Sequence, residues 1–77
     1  MYTFEVKVGT MSGKAFTLES TSQFERLQDA CLFAIEAAVS GRTASISGIG
    51  REYAASAMNG RLVPMPRYAQ ETALALA

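Results

Sequence analysis

Residues Ser22 to Ser40 read SQFERLQDACLFAIEAAVS and form the longest periodic segment of the chain. Ser22 and Glu25 have the spacing of a capping box, in which each side chain accepts a hydrogen bond from a free backbone amide. Gly41 suits the left-handed residue that commonly ends a helix. The segment contains no glycine or proline and is rich in strong helix formers. The sequence therefore predicts one long helix here.

One face of the predicted helix is apolar. At about 100° per residue, side chains three or four positions apart share a face. The members of this face are Phe24, Leu27, Gln28, Cys31, Ala34, Ile35 and Ala38. Because only the glutamine is polar, we expect the face to cover a small sheet, with Cys31 buried as a small apolar side chain.

The opposite face of the predicted helix carries an aromatic side chain among acids. Phe33 lies about 180° from Phe24 and shares its side of the helix with Glu25, Asp29 and Glu36. One interpretation is an aromatic anchor ringed by acids, which would make these four residues a partner-binding site. The other is that the C-terminal tail covers Phe33, or that the side chain is exposed without a function.

Alternating apolar residues predict a β-hairpin before the helix. The first strand directs one set of side chains inward, namely Tyr2, Phe4, Val6 and Val8. Residues 9–13 have glycine at both ends and predict a five-residue hairpin loop. The second strand is expected over 14–19, with Phe16 and Leu18 inward. The two strands pair antiparallel because the link is too short for a crossover.

A second β region is predicted after the helix. Residues 42–47 indicate a strand with Ala44 and Ile46 on one face. Residues 51–58 fit either a strand or a short helix. The Asn59-Gly60 pair that follows fits a type I′ hairpin turn or a helix C-cap, and we favour the hairpin.

These segments together predict an α+β fold of order β-β-α-β-β. The N-terminal hairpin and the C-terminal β region form a small antiparallel sheet, and one long helix packs on one face of it. Residues 1–77 make a single domain, with a core over 1–66 and a helical or frayed tail over 67–77. Because a chain this short has a thin core, a homodimer is expected.

The composition argues against an enzyme, a metal site and a cofactor. The chain has no histidine and one cysteine, which cannot build a zinc site. No nucleophile motif of the common hydrolases is present. An apolar run long enough to cross a membrane and a signal peptide are also absent. We therefore predict a cytoplasmic, non-enzymatic protein.

The second half of the chain carries a net positive charge, because residues 39–77 hold four arginines against two glutamates. The formal charge is zero overall, but only arginines supply the positive charge after residue 40. Arginines beside aromatic side chains suit phosphate contacts and base stacking. An alternative prediction is therefore a nucleic-acid-associated protein that uses Arg42, Arg51, Arg61, Arg67, Tyr53 and Tyr68.

Protein binding is the main prediction, and several apolar residues support it besides Phe33. Met11, Met58 and Met65 offer adaptable apolar contacts. The edge of the sheet offers a second mode, through strand addition or dimerisation. A structural subunit of a homo-oligomer is the third possibility.

The size and order of the elements resemble those of small phage-encoded inhibitors, the anti-CRISPR proteins. The resemblance rests on an N-terminal hairpin (YTFEVKV, KAFTLES), the long helix (SQFERLQDACLFAIEAAVS) and a second β region (TASIS, RLVPM). It implies a single-domain inhibitor that binds a CRISPR effector complex in the bacterial cytoplasm. Such an inhibitor blocks target-DNA binding or cleavage without catalysis. The resemblance assigns no functional residue.

Overall fold

The computed structural model describes residues 1–77 as an α+β fold with a five-stranded antiparallel sheet and two helices. The strands are β1 Phe4–Ser12, β2 Ala15–Phe24, β3 Arg42–Gly48, β4 Ala54–Met58 and β5 Arg61–Pro64. The helices are α1 Leu27–Ala37 and α2 Ala69–Leu76, the second preceded by a 3-10 turn over Pro66–Tyr68. The predicted fold class is confirmed, with one strand and one helix more than the predicted order.

The strands lie in the order β2-β1-β3-β4-β5, and every neighbouring pair is antiparallel. The hairpin predicted around Asn59-Gly60 joins β4 to β5. Both residues have positive φ angles, 56° and 73°. This is the geometry of a type I′ turn, which asparagine and glycine tolerate at little cost. Residues 54–58 are therefore a strand, and the helical alternative for that segment is wrong.

The first hairpin is longer and its turn tighter than predicted. Gly9 belongs to β1, and the turn consists of Gly13 and Lys14 alone. Gly13 has a φ of 63°, as the first central residue of a type II′ turn requires. β2 continues to Phe24, five residues beyond its predicted end.

A β-bulge divides this hairpin. Val8 lies opposite Ser20 but Gly9 lies opposite Leu18, so Glu19 is an extra residue in β2. The bulge reverses which β2 side chains share a face with the inward residues of β1. Phe16 and Leu18 consequently point outward and are 40% and 52% exposed, so their predicted inward direction is wrong. Alternation alone could not reveal the bulge, because the extra residue appears only once the strands are paired.

Helix α1 begins at Leu27 rather than Ser22, so the predicted capping box does not form. Ser22 lies opposite Val6 in the sheet, and Phe24 lies opposite Phe4. The backbone of this segment is satisfied by the β1 ladder, which replaces the first helical turn. The helix instead starts after Arg26, which has extended backbone geometry and no side-chain cap.

The core lies between the inner face of the sheet and α1. It contains twelve buried apolar residues, of which Ile46, Val6 and Cys31 are the largest fully buried ones. Half of the twelve are alanines, namely Ala30, Ala34, Ala38, Ala44, Ala55 and Ala57. The inward positions predicted for Ala44 and Ile46 are confirmed. Tyr2, by contrast, precedes β1 and is 54% exposed, so its predicted inward position is wrong.

The C-terminal segment is an ordered helix that packs against α1. Thr72 is its one buried residue. The Thr72 hydroxyl donates to the carbonyl oxygen of Tyr68 at 2.8 Å and lies 2.6 Å from the hydroxyl of Tyr53. Neither α1 nor α2 has the length or the apolar run that crossing a membrane requires.

Candidate functional site

The face of the sheet that points away from α1 is open, and we call it the outer face. The strand registers place a matched set of residues there, because paired residues of neighbouring strands share a face. Ser45 of β3, for example, lies opposite Lys7 of β1 and Ser56 of β4, and Ser56 lies opposite Val63 of β5. No helix covers this face, and these four side chains are exposed.

Large apolar side chains lie in two groups on the outer face, one on β1 and β2 and one on and just after β4 and β5. Six of the thirteen exposed large apolar residues of the chain lie on it, namely Met11, Phe16, Leu18, Met58, Val63 and Met65. Met58, Val63 and Met65 form one ridge along β4 and β5, which we call the methionine ridge. Their exposed fractions are 54%, 65% and 49%. Clusters of this kind on a small domain commonly mark contact surfaces.

Small side chains form a floor beside the methionine ridge. Ser45, Ser47, Ala54 and Ser56 line a shallow groove of about 460 Å³, and Val63 and Met65 form its wall. The serine hydroxyls make no side-chain hydrogen bond within the chain. The groove therefore offers apolar contact on one side and free hydroxyl groups on its floor.

The outer face carries little net charge. Lys7 lies 3.8 Å from Glu5, and Gln23 of β2 donates to the same carboxylate at 3.3 Å. Arg61 lies at a corner of the face and makes no ion pair. The surface suits an apolar or weakly polar partner more than a strongly charged one.

The helix patch, by which we mean Phe33 with the predicted ring of Glu25, Asp29 and Glu36, does not have the predicted arrangement. Phe33 is half-buried, and its ring lies 5.2 Å from that of Phe24. Because Phe24 is in β2 and not in the helix, the angular argument that set Phe33 on an isolated polar face fails. Phe33 packs against the core beside Ala30 and Ala37, its neighbours at three and four positions along α1.

The acids predicted to surround Phe33 are exposed but do not form one group. Glu25 precedes the helix and lies 3.2 Å from the amino group of Met1. Asp29 lies in the first turn, where the helix dipole favours a negative charge. Glu36 lies two turns further along the same helix. A partner-binding role for Phe33, Glu25, Asp29 and Glu36 remains a prediction.

The four arginines of the alternative nucleic-acid site are separated into two groups. Arg42 and Arg61 begin β3 and β5 at one end of the sheet. Arg51 and Arg67 lie near the other end, about 20 Å away along the length of β3. Three of them have acidic partners, since Arg42 contacts Glu19 at 2.9 Å and Arg51 contacts Glu71 at 2.7 Å. Arg67 lies 3.4 Å from Glu52.

The tyrosines of that alternative site form an aromatic cluster with Phe4. The Tyr53 ring lies 5.6 Å from Phe4 and 5.2 Å from Tyr68, while Arg51 lies over Phe4 and Arg67 over Tyr68. Tyr53 is 5% exposed and Tyr68 is half-buried. The buried ring of Tyr53 cannot stack on a base. The cluster instead packs at the corner between the sheet and α2.

A short chain of buried polar groups links this corner to α1. The Tyr53 hydroxyl lies between Thr72 Oγ1 and the Cys31 thiol, at 2.6 Å and 4.0 Å. Burial raises the pKa of Tyr53 to about 12, and it also raises the pKa of Cys31. Both groups are therefore neutral near pH 7, and the thiol is poorly suited to act as a nucleophile.

Comparison with protein-family models, curated proteins and solved structures yields no match to this chain. The candidate site therefore rests on its own geometry. Three of its six large apolar residues, Met11, Met58 and Met65, are the methionines that the sequence marks as adaptable contacts. The other three were missed, because Phe16 and Leu18 were assigned inward and Val63 had no assigned face. The strand registers supply the missing information.

Proposed function

We propose that this chain is a non-enzymatic protein-binding module whose contact surface is the outer face. The observation that carries the proposal is the methionine ridge of Met58, Val63 and Met65 beside the small-residue groove. Methionine side chains are flexible and polarizable, so they adapt to a partner's shape. The free hydroxyls of the floor can hydrogen-bond to polar groups of that partner.

The edges of the sheet are poorly suited to strand addition, which favours the outer face as the contact surface. β2 is long and exposed, but the bulge at Glu19 interrupts its edge. β5 is only four residues long and ends at Pro64. Bulges, charges, short strands and prolines are the features by which sheets resist pairing with another chain.

The geometry adds little support to the two more specific functions predicted from the sequence. Inhibition of a CRISPR effector complex rests on the order of the elements alone, and the outer face carries no acidic array that would imitate DNA. Nucleic-acid binding is disfavoured because three of the four arginines have acidic partners and Tyr53 is buried.

The proposal is tested by capture of binding proteins from a bacterial lysate with matched variants. Ser56→Arg fills the groove with a long charged side chain, whereas Gln70→Arg adds the same group on exposed α2. We expect the wild type and Gln70→Arg to retain the same proteins and Ser56→Arg to lose them. Equal capture by all three variants, or a wild type that neither captures a protein nor self-associates, contradicts the proposal. Circular dichroism and thermal melting verify that each variant is folded.

The helix patch is tested in the same experiment. Asp29→Lys with Glu36→Lys reverses two exposed charges without removing a packed side chain. Phe33→Ala is less informative, because loss of its contact with Phe24 also weakens the fold. We expect the double-lysine variant to bind like the wild type. Loss of binding only in that variant would move the site to α1.

A further inference from the structure

Large apolar side chains lie on the outer face of the sheet, while the core on its inner face contains many small ones. The core is half alanine, while the large side chains Met58, Val63 and Met65 lie uncovered at the β4–β5 side of the outer face. Domains this small bury a low fraction of their apolar surface, and oligomerisation is one way in which they bury more. This arrangement indicates that a further layer covers the outer face.

The shape of the outer face matches itself. The methionine ridge lies directly beside the groove whose floor contains Ser45, Ser47, Ala54 and Ser56. A rotation of 180° about an axis parallel to the strands and above β4 places β5 of each copy over β3 of the other, so that Val63 and Met65 lie over the groove floor at Ser45 and Ser47. Met58, on β4, then faces its own counterpart. Contacts of this isologous kind are the usual basis of two-fold dimers.

We propose that the occupant of the outer face is a second copy of this chain, packed face to face through β3, β4 and β5. The inference rests on the proposed function, since it names the partner of the same surface. Sheets packed in this way lie about 10 Å apart, and small residues on the floor allow the opposing Val63 and Met65 to enter.

The charges of the face permit this self-association. A second copy brings the same charges, so a strongly charged surface would repel itself. Glu5 and Lys7 neutralise each other at 3.8 Å on β1, outside the contact made by β3 to β5. Arg61 lies at the start of β5, at a corner of the face, where its side chain can remain in solvent. No like-charged pair is forced together at the centre of the contact.

The area of the contact predicts a weak dimer. Three strands about 4.8 Å apart, with about five residues each, give a footprint of roughly 15 by 17 Å. Stable interfaces bury about 800 Å² of accessible surface on each partner, which is more than this footprint provides. We therefore expect a dissociation constant on the order of 100 µM and an equilibrium between monomer and dimer.

Sedimentation equilibrium of the full chain tests the proposal, over concentrations from about 10 µM to about 1 mM, which bracket the expected dissociation constant. The wild type and Gln70→Arg should approach twice the monomer mass, and Ser56→Arg should weaken the dimer by about tenfold or more. A wild type that stays monomeric throughout overturns the proposal. So does a dimer that Ser56→Arg leaves unchanged, because it then uses another surface.

Site-specific cross-linking provides a second, independent readout. Cys31 is the only cysteine and is fully buried, so an introduced cysteine is the only accessible thiol. With a short bis-maleimide, Ser56→Cys should give a cross-linked dimer and Gln70→Cys should not. If neither gives one, the face-to-face arrangement is wrong.

Failure of this proposal differs from failure of the proposed function. A monomeric wild type that captures another protein, and loses it in Ser56→Arg, retains the outer face as a binding site and excludes the second copy as its occupant. A wild type that neither dimerises nor captures a protein excludes both.

Discussion

The inner face of the sheet lies against Ala30 and Ala34 of α1 and Ala38 just after it, whereas the outer face carries Met58, Val63 and Met65 with nothing packed on them. Alanines allow the helix to approach the sheet closely, so the inner contact depends on fit more than on side-chain volume. The outer side chains gain no such contact within one chain. Substitutions on the two faces should therefore affect different properties, stability on the inner side and association on the outer side.

The largest difference between the faces is expected for removal of a β-branched side chain. Ile46 is 1% exposed on the inner face, and Val63 is 65% exposed on the outer face. Ile46→Ala should lower the free energy of unfolding by about 2–5 kcal/mol, and Val63→Ala should change it by less than about 0.5 kcal/mol. Urea unfolding measures both. Equal losses would mean that the outer face also contributes to the stability of the monomer.

Gly9 is the one outer-face position where an added side chain should damage the fold. A Cβ atom there would meet the carbonyl oxygen of Thr17 and lie 2.8 Å from Cζ of Phe16. Gly9→Ala should therefore cost about 2–3 kcal/mol, because backbone must move. The control is Gly13→Ala, which has free space but a φ of 63° and should cost about 1 kcal/mol. If Gly13→Ala costs more than Gly9→Ala, the close approach of Phe16 and Thr17 to position 9 is wrong.

Substitution of Phe33 tests whether the packing between α1 and the inner face of the sheet extends to β2. Its half-buried ring packs on Phe24, so Phe33→Ala should lower the free energy of unfolding by about 1–2 kcal/mol. Glu36→Gln, on an exposed residue of the same helix, should leave thermal and urea unfolding nearly unchanged. An unaffected Phe33→Ala variant would restore the original interpretation of Phe33 as an exposed residue.

The smallest effect concerns Tyr53 and appears only at high pH. Burial raises its pKa to about 12 in the folded chain, compared with about 10 in an unfolded one. The unfolded state then loses a proton first, so stability should be constant below pH 10 and should fall as the pH rises towards 12. Melting temperatures at pH 8 to 11 test this. Tyr53→Phe should show a shallower fall, while Tyr2→Phe, at an exposed position, should follow the wild type.

Local patterns predict those parts of the fold that depend on a single strand or turn. The alternation of β1 and β3 identifies Phe4, Val6, Ala44 and Ile46 as inward residues, and Asn59-Gly60 identifies the last hairpin. These signals come from backbone preferences that need no tertiary partner.

The sequence predictions that proved wrong share a physical cause, which is pairing between residues that are distant in the chain. Ser22 has the local features of a helix cap, yet β1 supplies its segment with a ladder and a packing partner for Phe24. The bulge at Glu19 likewise exists only in the paired hairpin, and it decides where Phe16 and Leu18 point. The methionines of the candidate site were recognisable as residues, but their common face required the registers of β1, β3, β4 and β5.

The central place of β1 in the sheet has a consequence for how the chain reaches its native state. β1 is joined to β2 by a turn of two residues, so this pairing is local. Its other edge pairs with β3, which lies much further along the chain, with Thr10 opposite Arg42 and Phe4 opposite Gly48. Closing so long a segment is slow compared with forming a hairpin. Because α1 and β3 follow β2 in the chain, any first hairpin that forms during synthesis has the apolar side of β1 uncovered until they emerge. The small hydroxyl-bearing residues of β2, from Ser20 to Ser22, keep that early hairpin less adhesive than a fully apolar one.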